Sequence, residues 1–231
     1  MPVDRVWCAP AGLHLLIATV KESTTPGRPS LLFCPGIADT DIGGSSDRVL
    51  QDSAEKLSFY CRTEVIGFNP HGVGDADGVL APDRLLSDLE SIASFLAPRP
   101  LVMIGFGLVG IAMLACRHEP EVVGIVTVDP LVDQQSDEEL SAMGVRLDPT
   151  CVFPVSDIPI HLDDYQGRWL AIVPGDRRRV DNLGFEQLVE TYQPELHRIF
   201  ATPSRLHNDP RPYALILGWL ERELWTNPVS T

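Results

Sequence analysis

The chain predicts an α/β protein: a mostly parallel central sheet of about eight strands with helices on both faces. Three observations carry that prediction. Short apolar runs alternate with longer amphipathic stretches, the order expected of strand–crossover–strand units with right-handed connections. Runs such as Leu31-Leu-Phe-Cys34 are apolar without alternation, as in strands buried on both faces. Residues 101–115 read as an apolar strand, a glycine-punctuated turn and an apolar helix. With 231 residues, 44% of them hydrophobic, the chain can build one sizeable core, and a single domain over residues 1–231 is expected.

The elements follow in order. Residues 3–8 and 13–19 flank Pro10-Ala11-Gly12 and predict an N-terminal hairpin. Thr24–Pro29 is a turn-rich link, and the strand at 31–34 runs into Pro35-Gly36 and a loop over 37–46. Residues 47–57 have helical spacing, with Val49, Leu50, Ala54 and Leu57 on one face. A strand at 64–68 feeds Asn69-Pro-His-Gly-Val-Gly-Asp-Ala-Asp-Gly78, a loop dense in glycine and aspartate. Leu85, Leu86, Leu89, Ile92 and Leu96 predict an amphipathic helix over 83–96.

After 101–115 comes a strand at 122–128, ending in Asp129-Pro130. Residues 131–167 break the rhythm with Pro149, Pro154 and Pro159. An irregular segment of that length inside a compact domain is usually functional, and a small cap is expected there. The rhythm resumes with a strand at 169–174, a helix near 181–191, a strand at 197–202, a loop over 203–209 and a closing helix over 212–224. In parallel sheets ligands bind outside the carboxyl ends of the strands. The loops after Cys34, Phe68, Ile104, Val128, Val173 and Thr202 are therefore expected to face one site.

The formal charge of −14 is spread along the chain. Phosphate backbones and anionic lipid repel such a surface, so neither nucleic acid nor a membrane is the expected partner. A small molecule or peptide is, with a homodimer left open and no cofactor expected. The five cysteines, Cys8, Cys34, Cys61, Cys116 and Cys151, are odd in number, widely spaced and free of any C-x-x-C pair. That pattern predicts reduced, buried thiols rather than a zinc site or a disulfide framework. The chain opens without a basic segment followed by an apolar one. Its longest apolar run, 101–116, is shorter than a membrane span and carries three glycines. A cytoplasmic location is expected.

This succession of motifs resembles the α/β-hydrolase superfamily across nearly the whole chain. Leu31-Leu-Phe-Cys-Pro-Gly36 is similar to the strand and turn that supply an oxyanion-hole amide. Asn69–Gly78 is similar to the family's D-x-x-G-x-G-x-S segment, and 101–115 to its nucleophile elbow, the sharp strand-to-helix turn of G-x-S-x-G. The 131–167 segment sits where the family places its cap. Trp169–Asp176 resembles the strand and turn that carry the acid, and Arg205-Leu-His207 the loop with the histidine.

Three departures stand out. Gly105-Phe106-Gly107-Leu108-Val109-Gly110 puts Gly107 in the serine's place. Gly175-Asp176-Arg177-Arg178 puts Arg178 where the aspartate is usual, and Cys34-Pro35 replaces a common His-Gly. Only His207 stands in its expected position. A covalent acyl transfer needs a nucleophile, a base and a group that orients the base. Glycine cannot form the covalent intermediate.

His207 is the candidate general base, since imidazole titrates near neutral pH; the plainer alternative is a surface loop histidine. Asp129 is the candidate orienter, or equally an N-cap before Pro130. Asp176 and Asp181 are the other candidates, and Asp181 is also an apt N-cap. The amides of Gly36, Ile37 and Leu108 could hold developing negative charge, because such donors need no side chain. Phe106, Gly107 and residues 131–165 are expected to shape the pocket, and His71 could line it.

Cys34 as a nucleophile needs a lowered pKa and a base in reach; a core thiol is the alternative. Ser45 and Ser46 could bind substrate or simply start a helix. The 69–78 loop lacks the lysine of a phosphate loop. Asp75, Asp77 and Asp83 are not spaced as a calcium loop, and no metal site is expected. Arg177–Arg179 read as a solvated turn or an anion contact at the rim.

The resemblance then implies a non-hydrolytic member of the superfamily. Such members carry out cofactor-independent proton transfer, such as epimerisation or cyclisation in natural-product pathways, or bind ligands without turnover. The alternatives are an esterase or thioesterase with a displaced nucleophile (Cys34, Ser45 or Ser46) and a catalytically inactive binding or scaffold protein.

Overall fold

The computed structural model describes residues 3–19, 28–36, 47–116, 121–130, 141, 145–149, 162, 165–175, 183–200 and 209–225. Eight strands form one sheet: β1 (Val3–Cys8), β2 (Leu13–Ala18), β3 (Ser30–Cys34), β4 (Val65–Gly67), β5 (Leu101–Phe106), β6 (Val122–Val128), β7 (Arg168–Pro174) and β8 (Glu195–Ile199). Their order is β1-β2-β4-β3-β5-β6-β7-β8. The β1–β2 and β2–β4 pairs are antiparallel, and every pair from β4 through β8 is parallel. The predicted hairpin, strand number and mostly parallel sheet are all present.

Five helices are described: α1 (Asp47–Cys61), α2 (Pro82–Leu96), α3 (Leu108–Ala115), α4 (Leu183–Tyr192) and α5 (Pro210–Leu220), the last continued by a π-helical turn, Glu221–Trp225. They divide between the two faces of the sheet. Leu85, Leu89 and Ile92 of α2, Ile111 and Met113 of α3 and Phe185 of α4 pack with Leu32, Met103 and Ile125. Leu50, Ala54 and Leu57 of α1 and Ile216 and Trp219 of α5 pack with Leu31, Phe33, Ile104 and Leu170. Successive strand residues point to opposite faces, so β3, β5 and β6 are apolar and buried at nearly every position, all but Ser30 and Val123 being buried. α3 is apolar and buried all round, as befits a helix with no solvent face.

Local signals set the ends of these helices. Pro82 opens α2 and Asp83 lies in its first turn, both favourable at a helix N-terminus. Asp209 caps α5, its carboxylate accepting the Arg211 N–H at 2.9 Å. α1 runs one turn past the expected 57. There the Ser58 hydroxyl donates to the carbonyls of Ala18 and Thr63 at 3.2 and 2.8 Å, tying the helix end to β2 and to the turn before β4. The last strand begins at Glu195 rather than 197.

Of the proposed cap segment, 145–149 is held against the glycine-rich loop. Leu80 N–H donates to the Arg146 carbonyl at 2.7 Å, and Arg146 N–H to Gly72 at 2.9 Å. No described helix is long and apolar enough to cross a membrane. Cys8, Cys34, Cys61 and Cys116 are free and buried; Cys151 lies outside the described residues.

Candidate active site

The carboxyl ends of the central strands are brought into line by the sheet register. Cys34 pairs with Gly105, Phe106 with Val128, Val128 with Ile172, and Ile172 with His197. The residues just beyond these ends are tied to their neighbours in turn. Gly107 N–H donates to the Val128 carbonyl at 2.9 Å, Asp129 N–H to Ile172 at 2.8 Å, and Gly175 N–H to Ile199 at 2.6 Å. Adjacent strands lie about 4.8 Å apart. Gly36, Gly107, Asp129 and Gly175 therefore form one row along the carboxyl edge of the sheet.

Gly107 is the elbow. Its φ of 57° and ψ of −133° make a sharp turn between β5 and α3, at the N-cap of α3. A side chain is strained at that φ. The residues around the turn have no room for one. A β-carbon on Gly105 would meet Gly110 at 2.8 Å, and one on Gly110 would meet the Gly105 carbonyl at 2.9 Å. The strand and the helix thus meet backbone to backbone, which is what allows so tight a turn. The turn after β3 abuts it: Gly36 has φ +98°, and a β-carbon there would stand 3.1 Å from the Phe106 carbonyl oxygen.

The elbow thus has its backbone geometry and no nucleophilic side chain. The N–H of Leu108, first residue of α3, belongs to the helix N-terminus, where the first N–H groups lack intrahelical partners and favour negative charge.

Asp129 is the second unusual residue of the row. It is 8% exposed and has φ 46°, left-handed for a non-glycine residue. Such backbone costs on the order of 1–3 kcal/mol and concentrates at functional sites. It stands one strand from the elbow, just beyond the end of β6.

Burial decides between readings for three of the candidates. Cys34 is 0% exposed, and burial pushes its thiol up to about 12. A nucleophilic thiol needs the opposite shift, so Cys34 is a core residue. The ring of Phe106 is buried edge-on against Phe33 at 6.0 Å, in the core rather than at an open pocket wall. Leu108 packs into the opposite face of the core with 4% exposure, leaving its amide as its contribution to the turn.

His71 is engaged elsewhere. Its Nδ1 lies 2.8 Å from Asp88 Oδ2, and Arg84 Nη2 lies 3.0 Å from its Nε2. Arginine only donates, so Nε2 accepts and Nδ1 carries the proton that Asp88 accepts. The Nε of Arg84 is also 3.3 Å from Nδ1, but Nδ1 cannot donate and accept at once, and the shorter carboxylate contact prevails. With both nitrogens occupied, His71 pins the glycine-rich loop to α2.

Asp88 was not singled out by sequence. Its signal is its place three residues after Leu85 on the buried stripe of α2, where it is 1% exposed. A carboxylate there requires a partner.

His207, Asp176, Asp181, Ile37, Ser45, Ser46 and Arg177–Arg179 lie outside the described residues. Among the described residues, no group of three or more His, Cys, Asp or Glu side chains could hold a metal ion.

No family model and no curated protein sequence matches the chain. Solved structures do. An α/β serine hydrolase without a lid from Xanthomonas campestris is 19% identical with a TM-score of 0.63, over 100% of this chain and 99% of that one. An α/β serine hydrolase homologue from Coxiella burnetii is 13% identical with a TM-score of 0.61, over 96% and 97%. A lipase/esterase from Lactobacillus plantarum is 15% identical with a TM-score of 0.59, over 96% and 98%. At these identities the likeness is one of fold, and it agrees with the sheet order and the elbow: the chain has the α/β-hydrolase fold.

Proposed function

We propose that the protein is a non-hydrolytic member of the α/β-hydrolase superfamily, acting by cofactor-independent proton transfer on a small-molecule or peptide intermediate. The observation that carries this reading is Gly107, which holds the elbow's backbone with no side chain to form an acyl-enzyme. Loss of the nucleophile removes the covalent step and leaves the other parts of such a site. His207 serves as the base. Asp129, buried at the end of β6, orients it, with Asp176 as the alternative. The amides of Gly36, Ile37 and Leu108 are the donors assigned to the charge that develops when a proton leaves the carbon beside a carbonyl.

The direct test is proton exchange. An acyl thioester is incubated with the protein in D2O, and its α-proton is followed by NMR beside thiol release. Deuterium uptake without thiol release, lost in His207→Ala, is the expected result. Thiol release that depends on His207 contradicts it.

The second reading is an esterase or thioesterase, favoured by the esterase neighbours. It needs a nucleophile other than Gly107. Full burial of Cys34 counts against that thiol and leaves Ser45 and Ser46. Alkaline hydroxylamine release of an acyl group from either serine, located by mass spectrometry, would establish it.

A further inference from the structure

A cavity of about 280 Å³ opens at the other edge of the sheet, between the starts of β7 and β8 and the π-helical turn. Arg168 and Glu195 are the first residues of β7 and β8. The cavity is thus a strand's length, on the order of 20 Å, from the elbow row. Four aromatic residues are among its lining, Tyr165 and Tyr192 with the largely buried Trp169 and Trp219 behind them. Trp169 is held by its indole N–H, which donates to Thr127 Oγ1 at 3.1 Å.

Two unusual pieces of backbone border this space. Gln193 has φ 46° and closes α4 with a bond from its N–H to the Val189 carbonyl at 3.0 Å. That left-handed position after a helix favours glycine or asparagine; here a glutamine holds it, and it lines the cavity. Opposite stands the π-helical turn 221–225, a rare conformation that recurs at functional sites. It presents Arg222 and Glu223 together.

Ion pairs tie the charged lining residues to one another and to the residues behind them. Arg168 Nη1 meets Glu223 Oε2 at 3.1 Å. Arg222 meets Glu195, and His197 Nε2 lies 2.7 Å from the same Glu195 oxygen. Of these, Arg168, Glu195 and Glu223 line the cavity itself; an anion would face two groups of its own sign, whereas a ligand carrying both signs faces a partner for each. The Arg168 guanidinium has further N–H donors for a carboxylate beyond its Glu223 contact, and Glu195 and Glu223 suit an ammonium.

We propose that this cavity is a second binding site, taking a small zwitterion with an aromatic body, of the aromatic α-amino acid type. The rings hold the body and the mouth holds the two charges. The site is independent of the chemistry at the elbow.

The test is calorimetric titration of the whole chain with L-phenylalanine, phenethylamine and 3-phenylpropionate. The zwitterion is expected to bind about ten-fold more tightly than either single-charge analogue, the effect of one charge-assisted hydrogen bond. Arg168→Gln and Glu223→Gln should each weaken it about ten-fold. Both alter partly exposed side chains, and Tyr192→Leu, which removes a wall ring, supplies an independent variant should either fail to fold. Equal affinity for the three ligands, tighter binding of a single-charge analogue, no heat with L-phenylalanine, or unchanged affinity in the folded variants would each overturn the proposal.

Discussion

A β-carbon on Gly105 would stand 2.8 Å from the backbone nitrogen and the Cα of Gly110. The strand that enters the elbow and the helix that leaves it therefore touch without side chains between them. Met113 Sδ is closer still, at 2.7 Å, but a flexible side chain can move and helix backbone cannot. Gly105→Ala should destabilise the protein by about 1–3 kcal/mol, as overpacking does, read as a lower urea midpoint at unchanged slope. An unaltered midpoint would mean that α3 can shift away from β5.

Gly107→Ser puts the missing hydroxyl back. The backbone already has the elbow turn, so the variant should fold, losing about 1–2 kcal/mol to a side chain at positive φ. It should also hydrolyse p-nitrophenyl acetate faster than wild type and faster than Gly107→Ala, which shares the strain and lacks the hydroxyl. A folded serine variant no faster than the alanine one would count against His207 as a base within reach of the elbow.

The pin between His71 and Asp88 is a framework contact, and its loss should appear in stability first. His71→Ala strips a buried carboxylate of a partner at 2.8 Å. The expected cost is about 2–3 kcal/mol, with faster amide exchange over 69–78. Asp88→Asn retains shape and hydrogen bonding and should cost less. Equal costs would show that charge, not hydrogen bonding, holds the loop.

How far this framework is legible in the sequence depends on whether a residue's role is local. β6 matches its expected bounds, and the elbow strand and α3 stand where three glycines and two apolar runs placed them. Those signals are backbone needs and hydrophobic periods, which a single chain displays. The strand expected at 197–202 begins instead at Glu195. Glu195 lies on an edge strand, where charged residues are common, and its partner Arg222 is 27 residues away. The partnership of His71 with Asp88 was missed for the same reason, since neither residue names the other. The π-helical turn has no local signature at all. At the site, the sequence showed which side chain was absent from the elbow. It also predicted buried thiols, of which Cys34 is one, but not that the ring of Phe106 is sealed in the core, because burial at a strand's end depends on what packs over it.

Asp209 links stability to pH. Its carboxylate caps α5 and is held below the ordinary carboxylate range chiefly by hydrogen bonds from the Arg211 side chain, against a smaller desolvation effect. An acid whose folded pKa is depressed stabilises the fold above its unfolded value, about pH 4, and loses that contribution as pH falls through the folded one. Asp209→Ala should lower the thermal midpoint by about 2–4 °C at pH 7. That difference should shrink as pH falls below about 4 and wild type loses the same interaction. A gap that stays constant as pH falls would mean that the carboxylate charge contributes nothing.

Burial also predicts inert thiols. Desolvation pushes Cys34, Cys61 and Cys116 each up to about 12. Iodoacetamide at pH 8 should leave all three unmodified in the native protein and label them once denaturant is added, as read by peptide mass spectrometry. Native labelling of Cys34 would reopen it as a displaced nucleophile.

The most direct measurement is hydrolysis of short-chain p-nitrophenyl esters by the wild-type protein and by His207→Ala in parallel, with intact mass taken during the reaction. An elbow whose nucleophile position is glycine predicts no turnover above buffer in either protein and no added acyl mass. Turnover by the wild type that disappears in His207→Ala, with an acyl group on the protein, would contradict it and show that another residue attacks in place of Gly107.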